Sequence, residues 1–163
     1  MLNPTAAILI IGDEILSGRT RDSNMHYLSC ELTKIGIDLQ EARFIPDNAE
    51  KIIDDVRFFS SKYDYVFTSG GIGPTHDDIT ADCIAAAFET EISIREDAFN
   101  LLENYYSEQN IDFNSARQRM ARIPNGAKLI DNPISVAPGF YLNNVFVMAG
   151  VPNIFQSMVQ SIL

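Results

Sequence analysis

The sequence contains no tryptophan and has few cysteines, histidines and basic residues. It has two cysteines, two histidines, and 12 lysines and arginines against 22 aspartates and glutamates, so its formal net charge is −10. A surface this negative repels nucleic acid and anionic lipid, and we therefore expect neither a nucleic-acid partner nor a membrane partner. An anionic ligand would have to be held by local groups, such as backbone N–H groups, a cation or a few arginines.

Long apolar runs are absent as well. No stretch approaches the roughly 18 apolar residues that a membrane-spanning helix requires. The N-terminal segment has no basic region, and its apolar run is broken at Gly12 and Asp13, which is not the pattern of a signal peptide. We expect a cytoplasmic protein.

The two cysteines, Cys30 and Cys83, lie far apart and inside predicted helices. No CxxC motif or Cys/His spacing indicates a zinc or redox site. We expect both cysteines to be reduced, buried and apolar in character.

The length of 163 residues and the hydrophobic content of 46% favour one compact domain. No internal repeat or linker divides the chain, so we predict a single domain over residues 1–163. The last residues lie in an apolar helical stretch without a cap, and we expect the native chain to extend beyond residue 163.

The first half alternates apolar runs typical of buried strands with apolar residues at helical spacing. The pattern predicts strands at 6–11, 39–45 and 65–68, with the second nearer an edge, and helices at about 25–35, 52–59 and 80–88. Such alternation with short connections favours right-handed crossovers and a mainly parallel sheet between helical layers.

The second half is less regular. We predict helices around 99–106 and 114–121, short strands at 128–130, 139–142 and 145–148, and a last helix from Pro152. Asn143 and Asn144, between the last two strands, indicate a tight hairpin turn.

The segment TSGGIGPTHDDIT, residues 68–80, follows a predicted buried strand. Ligands of open parallel sheets bind beyond the carboxyl ends of the strands. Gly70, Gly71 and Gly73 permit positive φ and close approach, so that backbone N–H groups can point at a phosphate. The segment is neither a Walker A loop nor a GxGxxG fingerprint, and its glycines are also ordinary turn formers.

Carboxylates follow all three of these strands. Asp13 and Glu14 come after the first strand, Asp47 after the second, and Asp77 with Asp78 after the third. In a parallel sheet these groups would converge on one rim, where a divalent cation such as Mg²⁺ could bridge them to a phosphate. The alternatives are a solvated turn at Asp13 and Glu14 and helix capping at the later aspartates.

Several other polar residues lie in these loops. Ser69 and Thr80 could donate hydroxyl hydrogen bonds to a phosphate, or act as turn and cap residues. Arginines at 117, 119 and 122 could lean over a phosphate or form a solvated face. Those at 19 and 21 could cover the site as a flap or be flexible surface charge. His76 could act as acid, base or ligand, or be an exposed loop residue, whereas we assign no role to His26.

Taken together, six motifs resemble the MoaB/Mog molybdopterin-binding domain, and more narrowly its form at the N-terminus of CinA proteins. They cover nearly the whole chain in order: GDEILSG (12–18), DSN (22–24), IPD (45–47), TSGGIGPTHDDIT (68–80), NPISVAPGF (132–140) and GVP (150–152). The resemblance implies a three-layer α/β/α sandwich with a mostly parallel sheet and a small hairpin near the C-terminus. It also implies a homo-oligomer, a dimer or trimer.

The resemblance also implies a site. It assigns phosphate or pterin binding to Gly70, Gly71 and Gly73, and metal-assisted catalysis to Asp47 and Asp78. To these we add, from their place in the loops, Asp13 and Asp77 as further ligands of a divalent metal, and Gly12, Ser69 and Thr80 as further phosphate- or pterin-binding residues.

Two activities follow from the resemblance. CinA-type domains are associated with metal-dependent hydrolysis of ADP-ribose-like pyrophosphates. The alternative is a module that binds molybdopterin or a nucleotide, or an adenylyltransferase of molybdenum cofactor biosynthesis.

Three positions depart from the family pattern. Ser135 stands where glycine is usual, Ala149 where proline is usual, and Ile154 where CinA sequences commonly carry glutamate. All three border the expected ligand rim and bear on substrate and activity.

Overall fold

The computed structural model describes all residues from Met1 to Leu163. The strands are β1 (Thr5–Ile11), β2 (Asp38–Ile45), β3 (Tyr65–Ser69), β4 (Ile92–Ile94), β5 (Arg122–Pro124), β6 (Lys128–Ile130), β7 (Gly139–Leu142) and β8 (Val145–Met148). The α-helices are α1 (Asp13–Leu16), α2 (Asn24–Lys34), α3 (Ala49–Lys62), α4 (Thr80–Ala87), α5 (Glu96–Glu108), α6 (Ser115–Gln118) and α7 (Pro152–Ile162). A 3₁₀ turn, Arg119–Ala121, follows α6.

Six strands form one mostly parallel sheet in the order β2-β1-β3-β8-β7-β6. β1 pairs in parallel with β2 and β3, β3 pairs in parallel with β8, and β7 runs antiparallel to both β8 and β6. The predicted parallel sheet, with β2 at its edge, is confirmed. The predicted hairpin is β7–β8, and Asn143 in its turn has a φ of 53°.

The sheet lies between two helical layers because its central strands are apolar on both faces. Alternate residues of β1 enter opposite cores: Ala7, Leu9 and Ile11 pack on the side of α3, α4 and α5. Ala6, Ile8 and Ile10 pack on the side of α2 and α7. The three-layer α/β/α sandwich is therefore confirmed.

A second, two-stranded sheet was not expected from the sequence. It pairs β4 with β5 in antiparallel fashion, from Ile92 opposite Pro124 to Ile94 opposite Arg122. Both strands have three residues, too few to show a period. The helix predicted at 114–121 divides into α6, with the Asn114 side chain accepting from the Arg117 N–H at its start, and the 3₁₀ turn.

The expectation for the cysteines was half wrong. Cys83 is buried, and burial raises the pKa of its thiol to about 11. Cys30 is exposed on α2, with its Sγ 3.7 Å from Nε2 of His26. The apolar face of α2 turns Leu28 and Leu32 inward, which leaves Cys30 on the outer face.

None of the helices has the length and apolar composition needed to cross a bilayer.

Candidate functional site

The carboxyl ends of β1, β2 and β3 meet at one rim of the sheet, around a hollow of about 250 Å³. We call it the acidic hollow. It is lined by Ile11, Asp13, Glu14, Arg19, Asp47, Gly71, Thr75, Asp77 and Asp78. The expected convergence of the strand-end carboxylates is thus present.

Asp13 and Asp47 are joined by a reciprocal pair of hydrogen bonds. The Asp13 N–H donates to Oδ2 of Asp47, and the Asp47 N–H donates to Oδ1 of Asp13, both at 3.1 Å. Nearby, the Gly12 N–H donates to the Ile45 carbonyl at 3.0 Å, which ties the ends of β1 and β2 together. The other oxygen of each carboxylate accepts no hydrogen bond from the protein and is free to bind a ligand.

The carboxylates of the acidic hollow repel one another. Burial raises the pKa of Asp47 above its usual range, and the nearby carboxylates of Asp13, Glu14 and Asp78 raise it further against the opposing hydrogen bond from Asp13. Negative charge is therefore gathered there, and Arg19, which also lines the hollow, bonds to Ser17 and forms no ion pair with these carboxylates. A cation at this place would relieve the repulsion.

Asp78 is fixed by its own loop. Its Oδ2 accepts hydrogen bonds from the Thr75 N–H at 2.9 Å and from the Thr75 hydroxyl at 2.8 Å. Its Oδ1 accepts none. The side chain of Asp77 is 77% exposed, and its Oδ1 lies 3.4 Å from Nε2 of the exposed His76.

The loop of residues 70–79, which we call the glycine loop, needs glycine at two places. Gly70 has a φ of 103° and Gly71 a φ of 78°. A Cβ at Gly70 would clash with the Ile11 carbonyl, and one at Gly71 with the Thr80 hydroxyl. Gly73 does not have a positive φ, and its lack of a Cβ instead leaves room for the Asp78 carboxylate.

Only part of the glycine loop offers free donors. The Gly70 N–H donates to the Met148 carbonyl at 3.0 Å, whereas those of Gly71, Ile72 and Gly73 have no acceptor in the protein. Consecutive free N–H groups of this kind form an anion-binding concavity.

Thr80 and Ser69 are both buried beneath the loop. The Thr80 hydroxyl donates to the Gly70 carbonyl at 3.0 Å, so its hydrogen is engaged inside the loop. Ser69 Oγ accepts from Nδ2 of Asn24 at 2.8 Å. A direct hydrogen bond from either hydroxyl to a phosphate stays a prediction, as does a role for Gly12 in phosphate binding.

Two residues at this rim were not singled out from the sequence. Asn24 is buried and also donates from Nδ2 to the Gly150 carbonyl at 2.9 Å, so it connects three loops. Thr75 holds Asp78 in place. Both lie in quoted motifs, but only the folded chain shows what they contact.

A second cavity, of about 670 Å³, lies along the glycine loop beside α6. We call it the arginine groove, and it is lined by Pro74, Thr75, His76, Asn114, Ser115, Ala116, Arg117 and Arg119. Of the other arginines considered, Arg122 pairs with Asp82 at 2.6 Å and Arg19 lines the acidic hollow. Arg21 is exposed and lines neither cavity.

The acidic hollow can be tested for its fit to a divalent cation. No three acidic, histidine or cysteine side chains lie so that they could hold a metal ion by themselves. Mg²⁺, however, usually binds through one or two carboxylates together with substrate phosphates and water. The free oxygens of Asp13, Asp47 and Asp78 can supply one or two such hard donors, and a cation here would take its remaining ligands from a phosphorylated ligand and water.

The three family departures have local structural consequences. In the segment at Ser135, the positive φ of 73° falls on Val136, and Ser135 Oγ accepts from the Asn132 side chain at 2.8 Å. The Ala149 N–H points at Sδ of Met158 at 3.5 Å. Ile154 packs against the core between α2 and α7.

Comparison with known protein families gives one match over nearly the whole chain. Residues 7–163 match the family described as "Probable molybdopterin binding domain". Among curated proteins, the chain is 36% identical over 164 residues to a protein of Metallosphaera sedula, covering 98% of this chain and 62% of the relative. A "Probable FAD synthase" of Caenorhabditis elegans is 36% identical over 167 residues, covering 91% of this chain and 32% of the relative.

Solved structures agree with this match. The protein CinA of Thermoplasma acidophilum superposes with a TM-score of 0.87 and 29% identity, covering 96% of this chain and 94% of that one. The molybdopterin biosynthesis enzyme MoaB of Thermus thermophilus shows the same fold, with a TM-score of 0.61, 14% identity, and coverage of 98% and 89%. The chain spans less than two thirds of the length of the curated archaeal relatives. This chain belongs to the MoaB/Mog molybdopterin-binding domain family and, within it, is CinA-like.

Proposed function

We propose that this domain is a metal-dependent pyrophosphatase that hydrolyses ADP-ribose-like nucleoside diphosphates. The observation that carries the proposal is the meeting of the acidic hollow with the free N–H groups of the glycine loop. Gly71 and Asp78 belong to the same loop and both border the hollow. A cation and a phosphoryl group can therefore be bound side by side.

The reaction adds water across the pyrophosphate link. The water oxygen bonds to one phosphorus, the bridging P–O bond breaks, and ADP-ribose yields AMP and ribose 5-phosphate. A divalent cation supplies charge neutralisation and a more nucleophilic water.

The side chains of the hollow have separate tasks in this scheme. Asp47 and Asp78, with Asp13 and Asp77 beside them, hold the cation or orient the attacking water. The N–H groups of the glycine loop donate to the phosphoryl oxygens where charge develops.

The test compares AMP release from ADP-ribose by the wild-type protein and by Asp78→Asn, with Mg²⁺ or Mn²⁺ present. The amide oxygen of asparagine can still accept the Thr75 hydrogen bonds, so the loop is preserved while the charge is lost. We expect AMP release to fall about 100-fold or more, with unchanged far-UV circular dichroism.

The matched control is Asp54→Asn. Asp54 is exposed on α3 and lines neither cavity, so its loss removes the same charge and should leave turnover unchanged. Turnover by Asp78→Asn at the wild-type rate, or no metal-dependent AMP release by the wild-type protein, would contradict the proposal.

A second candidate is a molybdopterin-binding module, or an adenylyltransferase of molybdenum cofactor synthesis. The free N–H groups of Gly71, Ile72 and Gly73 favour it, because they can donate hydrogen bonds to the oxygens of any phosphate monoester. Its test is to oxidise the purified protein and measure pterin fluorescence, and then to look for an adenylylated product with ATP. Bound pterin without AMP release from ADP-ribose would favour this candidate.

A further inference from the structure

Three arginines follow one another closely beside the glycine loop, and two of them have partners in the protein. Arg122 pairs with Asp82 at 2.6 Å. Arg117 donates to the Asp112 carbonyl at 2.6 Å and lies over the Tyr106 ring, 5.3 Å from its centroid.

Arg119 differs from both. It forms no ion pair, and its one hydrogen bond runs from Nη2 to the Asp78 carbonyl at 3.5 Å, which is long for such a bond. Its Nε is fully buried and has no acceptor. Buried polar groups almost always have partners, so an unsatisfied donor on a charged side chain requires an explanation.

The position of Arg119 offers an explanation for this unsatisfied donor. The residue lines the arginine groove, and it also lines a small cavity of about 20 Å³ together with Gly71, Gly73 and Asp78. That cavity has room for about one oxygen atom or water molecule. Arg119 therefore faces the glycine loop from the arginine groove, while the free carboxylate oxygens face the same loop from the acidic hollow.

From these observations we infer that Arg119 binds a phosphoryl group of the ligand on the arginine-groove side of the glycine loop. The guanidinium presents a planar set of N–H donors that matches phosphate oxygens, and the ligand completes the hydrogen bonding that the protein leaves open. This inference rests on the proposed function for the class of ligand, a pyrophosphate-linked nucleotide. Its two phosphoryl groups span the loop, one toward the acidic hollow and one toward Arg119.

The test measures binding without turnover. ADP-ribose and inorganic pyrophosphate are titrated calorimetrically, in EDTA, into the wild-type protein, Arg119→Gln, Arg119→Lys and Lys34→Gln. Lys34 is exposed at the end of α2, paired with Glu31 and remote from both cavities, so its variant controls for the loss of one positive charge.

We expect Arg119→Gln to bind about 10-fold or more weakly, Arg119→Lys to lie between it and the wild type, and Lys34→Gln to match the wild type. Asp78→Asn should bind at least as well as the wild type in EDTA, because it removes negative charge. Equal affinity of Arg119→Gln and Lys34→Gln at matched thermal stability would overturn the inference, as would no binding of either anion by the wild type. If an ordered water is the sole partner of Arg119 Nε, the affinities of Arg119→Gln and Lys34→Gln will also be equal.

The two proposals fail separately. If binding depends on Arg119 but no AMP is released in the presence of a divalent metal, the hydrolase proposal is contradicted and the phosphoryl site at Arg119 is retained. If Arg119→Gln releases AMP with full activity and unchanged KM, the hydrolase proposal is retained and the phosphoryl site at Arg119 is contradicted.

Discussion

Asp47 lies where burial and neighbouring carboxylates disfavour its negative charge. Its N–H and one carboxylate oxygen secure Asp13, yet its charge is partly buried and faces other carboxylates. Groups that raise their own folding cost in this way are typical of functional sites.

The raised pKa of Asp47 has a stability consequence with a definite sign. The folded protein binds more protons at Asp47 than the unfolded chain does just above the ordinary aspartate pKa of about 3.9. Stability from this group is thus lost as pH rises through that window. We expect Asp47→Asn to raise the melting temperature at pH 7 by a few degrees in EDTA, and the gain to vanish toward pH 3.

Thermal unfolding followed by circular dichroism at both pH values checks this. Asp54→Asn, an exposed aspartate on α3, should show no comparable gain. A less stable Asp47→Asn at pH 7 would mean that the hydrogen bond that the Asp47 carboxylate accepts from the Asp13 N–H outweighs the charge repulsion.

At the scale of elements, the predictable parts are those with a strong local pattern. β1 is apolar at every position from Ala6 to Ile11 because both of its faces are covered. The convergence of Asp13, Asp47 and Asp78 followed from parallel strands alone. The β7–β8 hairpin was visible from its asparagine turn.

The parts that were missed depend on contacts between distant residues. β4 and β5 have three residues each and exist because they pair with one another, although their central residues, Ser93 and Ile123, are 30 positions apart in the sequence. The role of Asn24 depends on its hydrogen bonds to Ser69 and Gly150. The role proposed for Arg119 depends on its Nε having no acceptor in the protein. No local spacing indicates which of three nearby arginines lacks an acceptor.

The loop before β7 offers an element-scale prediction, because one side chain organises it. Asn132 is buried, accepts from the N–H groups of Ile134 and Ser135, and donates to Ser135 Oγ and the Ala137 carbonyl. Asn132→Asp keeps the acceptor but puts a carboxylate oxygen against that carbonyl. We expect the free energy of unfolding to fall by about 1–3 kcal/mol.

Urea denaturation at pH 7 measures that loss. Asn100→Asp, at an exposed position of α5, makes the same chemical change without a buried partner and should cost little. Similar midpoints for the two variants would show that the Asn132 amide donors are dispensable. Such a result would leave the positive φ of Val136 supported by backbone hydrogen bonds, such as that from the Val136 N–H to the Asn132 carbonyl at 3.0 Å.

At the scale of the whole molecule, charge is distributed unevenly around one loop. The chain has a formal net charge of −10, and the acidic hollow concentrates part of it beside free N–H donors, while Arg119 lies on the other side. Such an arrangement suits a ligand that brings a cation to one side and an anion to the other. Under the proposed function, it would let a strongly acidic protein bind phosphate.

If the hollow binds a divalent cation, the cation should stabilise the folded protein more than salt does. Binding to the folded state alone adds about 1.4 kcal/mol at tenfold excess over Kd, which corresponds to a rise in melting temperature of roughly 3–5 °C for a domain of this size. We expect that rise with MgCl2 but not with NaCl at equal ionic strength. The double variant Asp47→Asn/Asp78→Asn should lose it, since both carboxylates border the hollow, and Asp54→Asn should keep it. An equal response to the two salts, or an undiminished response in the double variant, would place cation binding elsewhere than the acidic hollow.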